Sequence, residues 1–357
     1  MVLSASSVSA VLKYKESPYY FFTRQLVFIV ISYIVGLFII LRMPIKTYKK
    51  LVPFALFGVF LSLAYLLISG DYTNGARSWI DLGFFSLQPS EFAKTVLVLF
   101  MAIYYGNMVD KKNVKYEFFV PLAIAIIIFF LVALQPDLGT AIIIAGIVFL
   151  TFLAIPFPSN QLAKTLKIIG GTVAVLMMVF ILSGSDFLTD MQKSRLTFKA
   201  PCTRYTEETG YQVCNGFIAI NNGGLLGKGL GNSTQKYLYL PESYTDFIFP
   251  IIVEEWGLIV GIVIIILYFI MLYLTFRIAK NANNLKNSLI TYGVCMYLLL
   301  HIIINLGGVL GLMPLTGVPL PFLSYGGSYT LSLLCACGLV QRVNIESKIA
   351  LKRKKTV

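Results

Sequence analysis

The sequence predicts an all-α protein that crosses a membrane several times, and three observations support this fold class. Of the 357 residues, 57% are hydrophobic and 13% are charged, whereas soluble domains contain about 25% charged residues. The apolar residues form long runs of the kind that membrane-spanning helices require. Between these runs, Lys and Arg residues cluster in alternate connecting loops, as they do in polytopic membrane proteins.

Nine apolar runs are predicted to be complete spans, because tilt and neighbouring helices accommodate runs shorter than ~20 residues. They cover residues 20–41, 51–69, 90–109, 117–134, 138–155, 165–183, 247–276, 288–312 and 327–341. Residues 1–20 are interpreted as the outer end of a first helix whose body is missing. We therefore expect residues 1–357 to form a single integral membrane domain, with 184–246 as one large extracytoplasmic loop.

The basic loops give the predicted orientation. The positive-inside rule makes the face that carries them cytoplasmic, so we expect the C-terminus inside and the large loop outside. The basic loops comprise residues 42–50, 111–115, 164–167, 277–286 and 342–355. The net charge of +13 is thus explained by topology. No basic stretch alternates with stacking aromatic residues, so we expect no nucleic-acid partner.

Histidine and cysteine usage narrows the chemistry. The single histidine, His301, lies in an apolar run, which argues against a His-rich metal site and against a Ser-His-Asp device. We interpret His301 as a polar residue that is satisfied between helices, and we assign no metal-binding residues. Cys202 and Cys214 share one polar loop; they could close a disulfide if that loop faces an oxidising space, or they could remain free.

Asp246 lies where the large loop ends and an apolar run begins. An acidic residue at the mouth of a membrane-embedded helix is costly to place, which indicates a functional site. The alternative is structural, because Thr245 and Asp246 precede a long apolar run, where a helix N-cap belongs. The sequence position alone leaves both interpretations open.

Two other polar positions also admit two interpretations. Glu91 and Lys94 are three residues apart, so they share a helix face. They form either a buried structural ion pair or a pair that shapes a substrate cavity. Arg77 either binds an anionic head group or anchors the chain at the membrane interface together with Trp79.

The segment from Gly216 to Ser233 is rich in glycine but lacks the spacing of a Walker A loop. Its backbone can turn sharply or approach a ligand closely, and Lys228 is available to a pyrophosphate. Asp137 follows a proline between two apolar runs, and we interpret it as part of a tight polar turn.

Taken together, these segments resemble the SEDS family, the RodA/FtsW/SpoVE peptidoglycan glycosyltransferases. The matching pieces occur in the family's order from residue 4 to residue 328, so the likeness covers nearly the whole chain. They are S-A-S-S, N-G-A-R-S-W-I, Q-P-S-E-F-A-K, Q-P-D-L-G-T, G-Y-Q, I-A-I-N-N-G-G-L-L-G-K-G-L-G, L-P-E-S-Y-T-D-F-I-F and P-L-P-F-L-S-Y-G-G-S. The G-Y-Q and F-L-S-Y segments favour the FtsW-like division type.

The resemblance implies a ten-helix fold and polymerisation of lipid II at the outer face of the bacterial plasma membrane. Asp246 matches the family's essential acid and would be the general base, while Glu91 and Lys94 match its paired residues beside a central cavity. The implied partners are lipid II, the growing glycan strand and a class B penicillin-binding protein. Candidate substrate-binding residues are Arg77, Arg195, Lys228, Glu242 and Gln88. A divalent cation, Mg²⁺ or Mn²⁺, would be held partly by substrate phosphate.

Two other functions fit the same features. Many spans, broken helices and buried charges are also typical of a flippase for the lipid-linked precursor or another transporter. A third interpretation is a non-catalytic scaffold that recruits the transpeptidase. A transporter is expected to keep its key charges near the bilayer midplane, whereas Asp246 is predicted at the outer edge.

Overall fold

The computed structural model describes residues 1–69, 71–73, 76–83, 85–109, 119–156, 167, 171 and 194–355. Over these ranges the chain is mostly helical and contains ten α-helices. They are α1 (Val2–Leu12), α2 (Tyr20–Ile34), α3 (Ile45–Ser69), α4 (Pro89–Val109), α5 (Val120–Ala133), α6 (Leu138–Leu153), α7 (Glu208–Gly223), α8 (Ile248–Lys280), α9 (Leu285–Val309) and α10 (Gly327–Lys355). A π-helical segment, Val35–Ile40, continues α2.

The helices agree with the predicted apolar runs. Four helical stretches in the described part of the chain are long and apolar enough to cross a membrane: Tyr20–Ile40, α3, α8 and α9. Three shorter apolar helices are α1, α5 and α6. The predicted run 165–183 lies outside the described residues apart from 167 and 171. Helix α10 extends well past the predicted end at residue 341, to Lys355.

Helix α9 lies at the centre of the bundle. Within its most apolar window, 67% of the residues are buried, against 17% for Tyr20–Ile40 and 22% for each of α3 and α8. One large core cluster packs α9 residues Leu289 and Ile290 with side chains from α3, α4, α5 and α6. Polar side chains on the remainder of α9 therefore lie inside the protein, where they can organise a site.

A small sheet corrects the all-α prediction. Strands β1 (Asp71–Thr73), β2 (Ala76–Asp81) and β3 (Ser86–Leu87) pair antiparallel in the order β1-β2-β3. The sequence carried a signal for it, because Asn-Gly at 74–75 and Asp-Leu-Gly at 81–83 are turn sequences that join strands. At the second turn, the Asp81 side chain accepts a hydrogen bond from the Gly83 backbone N–H at 2.8 Å.

Helix α8 is interrupted at Gly257, whose φ of 86° lies in the left-handed region. The glycine-rich segment after α7 packs against this interruption, and a Cβ atom at Gly227 would lie 2.3 Å from the Glu255 carbonyl oxygen. A helix break inside an apolar element requires other hydrogen-bond partners for its freed backbone groups. They are supplied by four bonds: Lys228 N to Glu254 O, Gly229 N to Glu255 O, Leu258 N to Gly224 O and Ile259 N to Leu225 O.

The described part of the predicted large loop, from residue 194 onward, is ordered into elements of its own. It contains a 3₁₀ turn at Pro201–Arg204 and helix α7. A disulfide joins Cys202 to Cys214, which resolves the open question of their pairing. Helix α7 also contacts the end of the loop, since Gln212 donates from Nε2 to the Pro241 carbonyl oxygen at 3.3 Å. The segment before α8 is thus held from one side by α7.

Candidate functional site

Asp246 lies in the turn before α8 and is buried, with 8% of its surface exposed. It is not a helix cap: the N-cap residue of α8 is Phe247, and no side chain makes a capping hydrogen bond there. The interpretation of Asp246 as the N-cap of α8 is therefore wrong. Its Oδ1 atom lies 2.9 Å from the Thr245 hydroxyl instead. The Asp246 carboxyl group therefore makes no capping contact with α8.

Thr245 connects Asp246 to a second acid. The Thr245 hydroxyl lies 2.9 Å from Glu242 Oε2 as well as 2.9 Å from Asp246 Oδ1. Glu242 has a φ of 52°, which is uncommon for a residue other than glycine and costs of order 1–3 kcal/mol. Hydrogen bonds from Thr245 N (3.2 Å) and Phe247 N (3.1 Å) to the Glu242 carbonyl oxygen hold that conformation. The fold thus keeps two carboxyl groups on either side of one hydroxyl.

The surroundings of Asp246 change its acidity. Burial and, to a smaller extent, the negative charge of Glu242 raise the pKa of Asp246 to about 7. The Thr245 hydrogen bond and the positive charge of Arg195 act in the opposite direction and lower that pKa. A carboxyl group that titrates near neutral pH can accept a proton efficiently during a reaction. Asp246, Glu242 and Arg195, three of the predicted site residues, therefore form one electrostatic unit.

Asn305 is a site residue that sequence reasoning missed. Its Nδ2 donates to the Asp246 carbonyl oxygen at 2.8 Å and to the Val318 carbonyl oxygen at 2.7 Å. A narrow cleft borders Asp246 and Asn305 and is closed by residues 315–318, where a Cβ atom at Gly317 would lie 3.7 Å from Asp246 Oδ2. The available signal was a lone amide in an apolar helix, which is costly to bury without partners.

Glu91, Lys94 and His301 form a second, fully buried cluster. Lys94 Nζ lies 2.8 Å from Glu91 Oε1 and 2.9 Å from His301 Nε2. Because the ammonium group can only donate, Nε2 accepts and the proton of the ring is on Nδ1, which lies 3.2 Å from the Pro319 carbonyl oxygen. The prediction that His301 is a satisfied polar residue is confirmed. The cluster is an ion pair within the bundle interior, at least over the residues described.

The segment at Val318 and Pro319 joins the two clusters. His301 and Asn305 are one helical turn apart on α9, so they lie on the same face. They contact the carbonyl oxygens of two consecutive residues, Pro319 and Val318 respectively. The buried ion pair and the turn that carries Asp246 are therefore fixed against one another through α9.

Gln88 contacts Asp137, and Arg77 contacts Gln135 nearby in the same turn. Gln88 donates from Nε2 to Asp137 Oδ2 at 3.3 Å, and the Ser78 hydroxyl lies 3.4 Å from the same atom. Asp137 also caps α6 by accepting from Thr140 N at 3.1 Å, in agreement with its interpretation as a turn residue. The Arg77 residue is exposed, and its backbone N–H donates to the Gln135 carbonyl oxygen. The substrate-binding roles of Gln88 and Arg77 remain predictions.

Lys228 lies against a buried carboxylate. Its Nζ atom is 3.3 Å from Glu254 Oε1 and 3.5 Å from the Thr234 hydroxyl, and its side chain is 32% exposed. Its predicted contact with a pyrophosphate would have to compete with this ion pair. That role remains a prediction.

Comparison with known proteins identifies the family. The model of the FtsW, RodA and SpoVE family, described as cell cycle proteins, matches residues 1–349. The chain belongs to this family. A probable peptidoglycan glycosyltransferase FtsW of Bacillus subtilis is 36% identical over 364 residues, covering 99% of this chain and 89% of the relative. The stage V sporulation protein E of the same species is 35% identical, covering 98% and 92%.

Solved structures agree with the family assignment. A chain from a peptidoglycan synthase complex, studied for the coordination of polymerisation and crosslinking, superposes with a TM-score of 0.72. It is 26% identical and covers 96% of each chain. The rod shape determining protein RodA of Thermus thermophilus superposes with a TM-score of 0.66 and 25% identity, covering 96% of this chain and 92% of that one. The predicted family and its FtsW-like type are confirmed.

In this FtsW/RodA/SpoVE member, Tyr244 directly precedes Thr245 and Asp246. Tyr244 packs between Phe21 and Tyr325, with ring centroids 4.6 Å and 5.8 Å away. Its backbone carbonyl accepts from Tyr325 N at 2.9 Å. Tyr244 therefore belongs to an aromatic cluster that supports the Asp246 turn. Among the described residues, no group of three or more His, Cys, Asp or Glu side chains could hold a metal ion.

Proposed function

We propose that this chain is a peptidoglycan glycosyltransferase that polymerises lipid II at the outer face of the cytoplasmic membrane, with Asp246 as the general base. The observation that carries the proposal is a buried acid in the turn before α8, paired with a second acid through one hydroxyl and with a pKa of about 7. Relatives across nearly the full length are named peptidoglycan glycosyltransferases. Bases within hydrogen-bond reach of a reacting hydroxyl contribute about 10²–10⁴-fold to the rate.

The chemistry assigns a distinct task to Asp246. The acceptor sugar hydroxyl loses its proton to the carboxylate as its oxygen forms a bond with the anomeric carbon of the donor. The bond from that carbon to the pyrophosphate oxygen breaks, and undecaprenyl pyrophosphate leaves with the electron pair. Oδ2 of Asp246, which faces Gly317 at the cleft, is the oxygen that accepts the proton. Oδ1 is engaged by Thr245.

The leaving pyrophosphate requires positive charge nearby. Arg195 is the first candidate, because its charge already acts on Asp246. Arg77 and Lys228 are further candidates, and Gln88 and Glu242 would contact the sugars. A divalent cation, Mg²⁺ or Mn²⁺, would be held partly by the substrate phosphates.

The proposal includes an arrangement in the membrane. It has nine complete spans with the C-terminus in the cytoplasm, and the basic residues of α10 support that orientation by the positive-inside rule. The segment that precedes α8 then faces outside, where lipid II is polymerised. A class B penicillin-binding protein is the proposed partner, since one solved neighbour belongs to a complex that coordinates polymerisation and crosslinking.

The purified chain and its transpeptidase partner, incubated with labelled lipid II, test this function. Asp246→Asn keeps the shape of the side chain but cannot accept a proton, so we expect its glycan ladder to fall by about 10²–10⁴-fold. Asp81→Asn is the matched control, because Asp81 is exposed and the amide oxygen can still accept from Gly83. Lipid transfer between leaflets without polymer would contradict the proposal in favour of a transporter. If the native protein shows neither polymerisation nor lipid transfer, the proposal is contradicted in favour of a non-catalytic scaffold.

A further inference from the structure

The Thr245 hydroxyl lies between two carboxyl groups at equal distance. Its oxygen is 2.9 Å from Asp246 Oδ1 and 2.9 Å from Glu242 Oε2. We propose that Asp246, Thr245 and Glu242 form a proton relay that carries the proton of the acceptor sugar from the base to water. The proposal rests on the proposed function of Asp246 as general base. It gives Thr245 and Glu242 roles that the transfer reaction alone does not require.

The number of protons supports a relay. A hydroxyl has one proton to donate; its two contacts of 2.9 Å are made to carboxyl oxygens, and the Glu242 backbone carbonyl oxygen lies farther away at 3.1 Å. One proton cannot lie in both gaps, so the second gap requires a proton on one of the two acids. Asp246 is the more buried of the two acids, and burial disfavours its charged form. Once Asp246 has accepted a proton, the chain of donors therefore runs from Asp246 to Thr245 and from Thr245 to Glu242.

The path leads toward water. Asp246 is 8% exposed, whereas the Glu242 side chain is 28% exposed and that of Lys13 is 55% exposed. Lys13 Nζ lies 3.9 Å from Glu242 Oε1, so a positive charge lies at the more exposed end of the path. Glu242 adopts a left-handed backbone conformation in this position, which is strained for a residue other than glycine. Strain of that kind concentrates at functional sites.

Four other charged or titratable groups lie around the relay, and none of them interrupts it. Arg195 acts electrostatically on Asp246 from the large loop. From α1 and the turn after it, Lys13 faces Glu242, and the Tyr14 hydroxyl contacts the Tyr244 hydroxyl at 3.3 Å. Burial and the Tyr14 hydrogen bond raise the pKa of Tyr244, so this phenol stays protonated and carries no charge.

The sugar O–H bond breaks, and its proton binds Asp246 Oδ2. Rotation about the Cβ–Cγ bond brings the protonated oxygen to Thr245. That proton then binds the Thr245 oxygen as the Thr245 proton passes to Glu242 Oε2, and Glu242 releases a proton to water. Asp246 and Glu242 end as carboxylates, Thr245 ends as a neutral hydroxyl, and one proton has reached the solvent.

The relay is tested in the holo-complex with its transpeptidase partner by following labelled lipid II across a range of pH. Thr245→Val keeps the shape of the side chain and removes the hydroxyl, and Thr245→Ser keeps the hydroxyl. We expect Thr245→Val to lower the rate on the high-pH plateau about tenfold or more, and Thr245→Ser to retain most of it. Glu242→Gln is expected to lower the plateau rate in dilute buffer, and imidazole added at constant ionic strength to restore it. A thermal melt of each variant reports whether it is folded.

Three outcomes overturn the relay. One is a plateau rate for folded Thr245→Val equal to that of the native complex. Another is equal loss in Thr245→Val and Thr245→Ser, which would indicate packing. The third is a Glu242→Gln variant that is slow and indifferent to imidazole. Each leaves the proposed function intact as long as Asp246→Asn is inactive, whereas an active Asp246→Asn would refute the function itself.

Discussion

Two pairs of acids lie close together in the sequence and meet opposite surroundings. Glu254 and Glu255, inside α8, are buried and supplied with donors. Glu254 accepts from the Thr234 hydroxyl, from backbone N–H groups and, in a very short contact, from Ser233, and it pairs with Lys228. Glu255 accepts from the Ser4 hydroxyl at 2.6 Å and pairs with Lys236 at 2.9 Å.

Asp246 and Glu242, just before α8, instead share the hydroxyl of Thr245. The difference teaches that the number of donors, rather than burial alone, decides what a membrane-embedded carboxylate does. A carboxylate with several donors holds the fold together. One that shares a single hydroxyl with another acid can gain and lose a proton.

The largest effect on stability is expected where a buried charge loses the partner of opposite charge. Glu255→Gln leaves the ammonium of Lys236 buried without its counter-ion, so the free energy of unfolding should fall by about 3–5 kcal/mol. Denaturant titration in detergent measures it. Adding Lys236→Met to Glu255→Gln should restore much of the loss, because the unpaired charge is then gone. A single variant as stable as the native protein would break the comparison.

Asp246→Asn provides the opposite stability result. Because the folded protein raises the pKa of Asp246 to about 7, its carboxyl group favours the folded state when protonated and opposes it when ionised. The neutral variant should therefore gain stability over the native protein as the pH rises through about 7, and the two should converge at acid pH. Melting temperatures of both proteins across this range check the prediction. A variant less stable than the native protein at alkaline pH contradicts it.

A further effect on stability concerns the backbone around Glu255. Gly227→Ala puts an alanine at a φ that is unfavourable for it and a Cβ atom 2.3 Å from the Glu255 carbonyl oxygen. The free energy of unfolding should therefore fall by at least about 3 kcal/mol. Gly231→Ala is the matched control, because it has the same kind of φ with open space around its Cβ, and should lose about 1–2 kcal/mol. Equal losses would show that the close packing contributes nothing.

The smallest effect concerns Asn305, which holds the Asp246 turn. Asn305→Ala removes the donors to the carbonyl oxygens of Asp246 and Val318, so polymerisation should fall about tenfold as the turn shifts. Asn281→Ala, at an exposed position that follows the last residue of α8, should leave the rate unchanged. Rates on labelled lipid II distinguish them. An unaltered rate in Asn305→Ala would show that α9 does not hold the Asp246 turn in its active position.

The sequence predicted the features that depend on neighbouring residues. Apolar runs gave the helices, the Glu91 and Lys94 spacing gave their ion pair, and Asp246 was found from its place at the end of a polar segment. It could not show that Asn305 reaches Asp246, 59 residues earlier, because a distant contact leaves no local pattern. The break at Gly257 was missed for the same reason, since its partners lie in the segment after α7.

The pH dependence of polymerisation under low-substrate conditions tests the central claim most directly. Asp246 can act as a base only when ionised, so the rate should fall as the pH drops through about 7. In Glu242→Gln, the loss of the neighbouring negative charge should lower the pKa of Asp246 and move this midpoint to lower pH. A midpoint at the ordinary aspartate value of about 4, or one that does not move in Glu242→Gln, would contradict a base tuned by burial and by its partner acid.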